Sequence, residues 1–397
     1  MSDKPGASRA VLVLVFAAFL SIGLPDALYG SAWPAIRDQF NRGNASVGFL
    51  NIPGAVAYIA SSAMMGAIMR RLSLAQLLAG STILVGTGLT LYATAPMFWM
   101  IIPAVILISI GSGAIDSALN LFAAQNLAPK YMIWLHAFYG VGALAGPFVM
   151  AFAFNRGLGW RWGFAAIAAV LWLMALVFIL TRSVWKARTT PEHEDSDESS
   201  RVTGSAVLRM PRVQLSILMM MGNATVEALA SAWITTMMIE RFEVSNSTAA
   251  IALGIYWIGL TAARILVPVF WPDTDPKRTQ LVSTVMLVAA AAMMIPDVEM
   301  LSWISAGLVG LGVASIFPLI MTASSNRFGP SVSQYAIGYL VSGSTFMFAI
   351  LPVLSGALAD RVGWGIIPVL ILAGASVILV TQLMLTRGDT PARVDQL

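Results

Sequence analysis

Asp116 and Asn120 stand four residues apart in GSGAIDSALN (111–120), a stretch set within long apolar sequence. At helical spacing they share a face, and Ser112 extends that face one turn back. A carboxyl group beside an amide, partly withheld from water, suits the uptake and release of a proton. It would also suit an interhelical hydrogen-bond network. Four other ionisable side chains lie in apolar surroundings: Asp26, His136, Glu227 and Arg264. Asp26 has Tyr29 at i+3 and Trp33 at i+7, and Glu227 has Asn223 at i−4 and Ser231 at i+4. Carboxylates and amides beside aromatic rings suit a hydroxyl-rich ligand, and they would equally suit a cation. The turn after Asp116 centres near Leu127, which puts Asp116 and His136 at depths differing by only about 3 Å at ~1.5 Å per residue. A pair across that hairpin would hold Asp116 ionised or pass it a proton; a backbone carbonyl would satisfy the histidine as well. Arg264 shares a face with Trp257, Thr261 and Pro268 and reads as a structural or gating ion pair rather than a substrate contact, with Glu227 one candidate partner.

The elements that position these groups follow from composition. Of 397 residues, 58% are hydrophobic and 11% charged, against about 25% charged in soluble domains. Unbroken apolar runs of about 20 residues recur along the chain, each long enough to cross a bilayer as a helix. Continuous rather than alternating hydrophobicity excludes a barrel, so an all-α membrane protein is expected. There is no cysteine, and His136 and His193 are far apart, which speaks against a metal site. No nucleophile–base cluster or phosphate-binding loop suggests an enzyme, and no cofactor is implied. The first run is too long for a signal-peptide core and carries Asp26, so it reads as a retained helix.

Twelve spans are expected: 10–33, 45–69, 74–95, 97–123, 131–155, 162–182, 211–238, 247–271, 279–296, 300–322, 332–357 and 364–385. Sixteen Lys and Arg fall on one side of that arrangement and six on the other. The positive-inside bias places both termini in the cytoplasm. Residues 1–182 and 211–397 form two six-helix units, joined by a polar linker at 183–210 whose acidic run lies at 192–198.

The units look like copies. GPFVMAFAFNRGLGW (146–160) aligns with ILPVLSGALADRVGW (350–364), and GSGAIDSALN with GLGVASIFPL (310–319). Two parallel repeats joined by a linker suit a rocking transporter with its site between the halves. This 6+6 arrangement, with its Gly/Pro-rich fifth and eleventh spans, resembles the major facilitator superfamily over the whole chain. GLPDALYGSAWPAI in span one, GSGAIDSALN in span four and HAFYGVGALAGP in span five resemble the fucose permease branch of sugar:proton symporters. The loop after span two, GAIMRRLSLAQ, lacks the acid usual in the superfamily. The resemblance implies that spans one, four, seven and ten line a central cavity, and it puts Asp26, Asp116 and Glu227 on three of them. It also implies that Asp116 takes up the coupling proton.

The expected function is therefore proton-coupled symport of a small polar solute, a sugar or polyol, by alternating access. Asp26, Asp116 and His136 are assigned to the proton, and Asn120, Asn223, Glu227, Tyr29, Trp33 and Tyr339 to the solute. Asn51, Tyr58, Gln334 and Tyr335 are further cavity candidates. Two other readings are efflux of drugs or amphiphiles, suggested by GALAGP (142–147), and a non-transporting sensor or scaffold. The expected partners are the solute, protons and lipid, with no nucleic acid. The expected state is a monomer in the plasma (inner) membrane.

Overall fold

The structure is a computed structural model that describes residues 9–127, 129–185, 204–270 and 274–387. Its first half contains α1 (Arg9–Gly23), α2 (Asp26–Gln39), α3 (Gly48–Ala63), α4 (Met65–Met69), α5 (Leu74–Thr94), α6 (Ile101–Asn126), α7 (Pro129–Asn155) and α8 (Gly159–Leu180). Its second half contains α9 (Gly204–Leu208), α10 (Pro211–Phe242), α11 (Asn246–Phe270), α12 (Pro276–Met293), α13 (Glu299–Val313), α14 (Ile316–Val362) and α15 (Ile366–Arg387). Eleven helical stretches among the described residues are long and apolar enough to cross a membrane. The chain is a multi-pass, all-helical membrane protein. The ninth expected span corresponds to α12, which opens Pro-Lys-Arg-Thr-Gln and falls below that apolar threshold. It is nevertheless packed into the bundle, where Thr284 donates to Gln382 of α15 at 3.0 Å, both side chains being buried. The acidic run at 192–198 lies outside the described residues.

Three expected spans are broken: span two at Met64, between α3 and α4, and two more beside a proline. Span one divides into α1 and α2 at Leu24–Pro25. Pro25 has no N–H for the carbonyl four residues back, so the ladder lapses there. Asp26 thereby becomes the first residue of α2, at the positive end of that half-helix. Span ten divides into α13 and α14 at Ala314–Ser315. Here Pro318 offers no N–H to the Ala314 carbonyl. By contrast α6 is unbroken, although Asp116 stands in it where Ser315 stands in the aligned repeat. Helical bonding runs on through 323–331, where a connection between spans ten and eleven was expected.

Close helix contact explains the small residues of span five. A Cβ on Gly142 would lie 2.1 Å from the Leu20 carbonyl oxygen, so α7 and α1 meet backbone to backbone. This packing accounts for GALAGP without any transport role. Gly142→Val should therefore lower the thermal unfolding midpoint of the purified protein, overpacking costing typically about 1–3 kcal/mol. An unchanged midpoint would contradict the contact.

Candidate functional site

Between the halves lies a cavity of about 490 Å³, lined from α2, α3, α5, α6 and α7 on one side and α10, α11 and α14 on the other. Asp26, Tyr29, Trp33 and Glu227 line it, as do Asn51 and Tyr58, all six singled out from sequence, together with Ser112. Asp26 is the most open of the three carboxylates and accepts a hydrogen bond from the Tyr139 hydroxyl of α7. Tyr29 is fixed edge-on to Tyr92 with centroids 5.6 Å apart, and Tyr92 in turn stacks on Phe164 at 4.2 Å.

Asp116 sits one residue behind the wall. Its Oδ2 accepts from the Tyr58 hydroxyl at 2.6 Å and its Oδ1 from Asn120 Nδ2 at 2.8 Å. Asn120 thus serves Asp116 and does not line the cavity. The approach that lets Tyr58 reach depends on Gly113, where a Cβ would lie 2.5 Å from the Tyr58 carbonyl oxygen. Asp26 and Asp116 are thus each held by a tyrosine hydroxyl from a neighbouring helix. Tyr139 interacts with both charges.

The cross-hairpin pair of Asp116 and His136 is not formed. The His136 ring lies edge-on to Phe19, 5.7 Å between centroids, and makes no ion pair with Asp116. Depth alone does not decide azimuth around the helix, which is why the hairpin arithmetic misled. Nor does Arg264 have a carboxylate within ion-pair distance among the described residues. Its Nε donates to the Ala314 carbonyl at 3.5 Å, the oxygen that Pro318 leaves without a helical donor. A cation at such a helix end is favourable on its own account. Its charge still acts on Glu227.

On α10, Asn223 Nδ2 donates to Glu227 Oε1 at 3.3 Å, so Asn223 supports Glu227 from behind the wall. Tyr339 is not a cavity residue. It packs with Val207, Val213 and Ala336, beside the linker helix α9, because that short helix covers its face of α14. Tyr335 lies at the same place, and the Gln334 side chain is outside the described ones.

Beyond Trp33 a polar latch joins the two halves, and no motif in the sequence announces it. Asn44 donates through Nδ2 to Asp360 Oδ1 at 2.6 Å and through its backbone N–H to Oδ2 at 3.2 Å. Arg37 donates to Asn44 Oδ1 at 2.9 Å and forms an ion pair with Glu240 of the other half. Trp33 Nε1 completes the set on Asn44 Oδ1 at 3.2 Å. Just inside the latch the halves touch: a Cβ on Gly30 would lie 1.9 Å from the Ser231 carbonyl oxygen. Arg37, Glu240 and Asp360 stand near span ends, where charge is ordinary, and nothing in the sequence marks them as partners.

Comparison with known proteins places this architecture. The family model of the Major Facilitator Superfamily matches residues 11–296 and 215–396. The chain belongs to that superfamily, whose members are transporters and not enzymes. It is 19% identical over 358 residues to the glucose/mannose transporter GlcP of Bacillus subtilis (strain 168), covering 88% of each chain. Among solved structures, the nucleoside transporter NupG superposes with a TM-score of 0.71 at 14% identity, over 95% of this chain and 98% of its own. FucP in the outward conformation gives 0.65 at 14%, over 95% and 99%. A bacterial homolog of the human lysosomal transporter Spinster, inward-facing and unoccupied, gives 0.70 at 14%, over 97% and 99%. At such identities these likenesses speak for the fold alone.

Proposed function

We propose that this protein is a proton-coupled symporter of a small, uncharged polar solute of the sugar or polyol type. It works by alternating access between two six-helix units, 1–182 and 211–397, joined by the linker 183–210. In this reading α12 crosses the membrane as the ninth of twelve spans, both termini are cytoplasmic, the protein acts as a monomer in the plasma (inner) membrane, and the latch closes the outer end. The supporting observation is the cavity itself: about 490 Å³ between the halves, with carboxylates, aromatic rings and an amide on its walls. Asp26 and Asp116, each bonded to a tyrosine, handle the proton. His136, edge-on to Phe19 rather than paired with Asp116, has at most an indirect part in the transfer. Glu227 meets the solute with Asn223 behind it, and Tyr29 and Trp33 wall the opposite side. Arg264 holds the break in span ten and serves gating. The names of GlcP and FucP, a sugar transporter and a fucose:proton symporter, agree with this solute class.

The test is transport by the full chain in proteoliposomes under an imposed pH gradient. A panel of monosaccharides and polyols is run beside a panel of cationic dyes. Accumulation of a hydroxylated solute, driven by inward proton flow and abolished by a protonophore, is the expected result. Dye movement against the proton gradient with no movement of any hydroxylated solute would favour efflux and overturn the reading.

A further inference from the structure

The two walls of the cavity differ in what is left unbonded. On the first-half side, Asp26 and Asp116 already accept hydrogen bonds from Tyr139 and Tyr58. On the second-half side, Glu227 accepts from Asn223 through Oε1, while Oε2 has no hydrogen bond among the described residues. Trp257 of α11 lines the same wall and is only 6% exposed, yet its Nε1–H has no hydrogen-bond partner there. Buried donors are nearly always satisfied, so an orphan on the wall of a cavity calls for a partner that enters the cavity. On adjoining helices an acceptor and a buried indole donor are thus left without partners, with Ser231 one turn beyond Glu227 on the same face of α10.

We propose that Glu227 and Trp257 are the recognition pair for two adjacent hydroxyls of an uncharged ring-shaped polyol. This rests on the transport function above and names the group its solute must carry. One hydroxyl donates to Glu227 Oε2, and its neighbour accepts from Trp257 Nε1–H. Tyr256 and Tyr139 hold the indole by edge contacts, with centroids 5.6 and 6.5 Å away. Asn223 is a positioning residue that orients the Glu227 carboxylate. A cation would satisfy Glu227 but leave the Trp257 N–H unpaired, so the pair selects a diol over an amine.

The test uses the purified full chain and isothermal titration with D-glucose, D-mannose, D-galactose and L-fucose. The monodeoxy analogues of whichever sugar binds are then added. Removing one of the two recognised hydroxyls is expected to weaken binding at least about tenfold, since a site built to bond a hydroxyl rejects the analogue lacking it. Trp257→Phe keeps the ring and deletes the N–H. It should weaken the parent sugar by a similar factor and leave the matching deoxy analogue unchanged. Should that variant fail to fold, Glu227→Gln carries the same comparison against the other hydroxyl. Wild-type affinity for the parent sugar in both variants, with sugar transport by the unmodified protein intact, would overturn the diol site and spare the transport reading. Failure of every sugar to bind, together with gradient-driven dye efflux, would overturn both.

Discussion

Asp116→Asn is expected to abolish uphill, pH-gradient-driven accumulation of solute while solute exchange across the membrane stays measurable. The substitution removes the titrating group but keeps its size. Asp116 receives two hydrogen bonds, from Tyr58 and Asn120, and opens to the cavity only through Tyr58. An asparagine still accepts one of these through its oxygen, and the Tyr58 hydroxyl can turn to accept from the new amide. The helix pair therefore stays assembled, and the unfolding midpoint should move little. What goes is the ability of the first-half cluster to change charge. In this reading the coupling lies in the pair of tyrosine-bonded carboxyls, Asp26 and Asp116. With residue 116 permanently neutral, loading Asp26 is no longer tied to it, and the solute can cross without a proton. Gradient-driven accumulation equal to that of the unmodified protein would remove Asp116 from the coupling step. Loss of exchange as well, at an unchanged unfolding midpoint, would make it a residue of solute binding instead.

Much of this architecture was legible in the sequence because lipid leaves the backbone few choices. Apolar run length located the eleven helices long and apolar enough to span, whereas the expected span 279–296 falls on α12, which Lys277 and Arg278 dilute. The Asp116–Asn120 face was legible because i, i+4 spacing fixes a shared azimuth within one helix. Relations between helices were not. His136 has the right depth for Asp116 but sets its ring edge-on to Phe19 instead. Arg264 was expected to seek a carboxylate, yet the nearer need was a carbonyl orphaned by Pro318, a residue fifty-four positions away in sequence. The tyrosines carry the clearest lesson. Tyr139 was quoted only within a motif, yet it bonds Asp26 and touches Trp257. A tyrosine in an apolar run signals nothing by itself; only the partner across the helix gap gives its hydroxyl a role.

Gly30→Val is expected to hold the latched end of the cavity open and to stop turnover. Gly30 lies one helical turn after Asp26, and Ser231 one turn after Glu227, so the tightest contact between the halves falls beside both carboxylates. Even a Cβ there would sit 1.9 Å from the Ser231 carbonyl oxygen, a backbone atom that cannot step aside without moving α10. A valine adds two methyl groups to that clash. The latch beyond it consists of one ion pair and a cluster around Asn44 at the rim. A typical hydrogen bond contributes only about 0.5–1.5 kcal/mol net, and no contact at the rim can relieve a clash with a helix backbone. The wedge therefore wins, and the equilibrium moves toward the state in which the halves part at this end. The absence of cysteine from the chain makes the shift directly readable. A single reporter, Ala349→Cys on the cavity wall, is labelled with a membrane-impermeant maleimide from the outer side. Labelling should be slow with glycine at residue 30 and several-fold faster with valine, while transport falls to background. Arg37→Gln should give a smaller change in the same direction, with transport retained. Equal labelling rates with and without the valine would show that this contact is not the seam on which the halves rock.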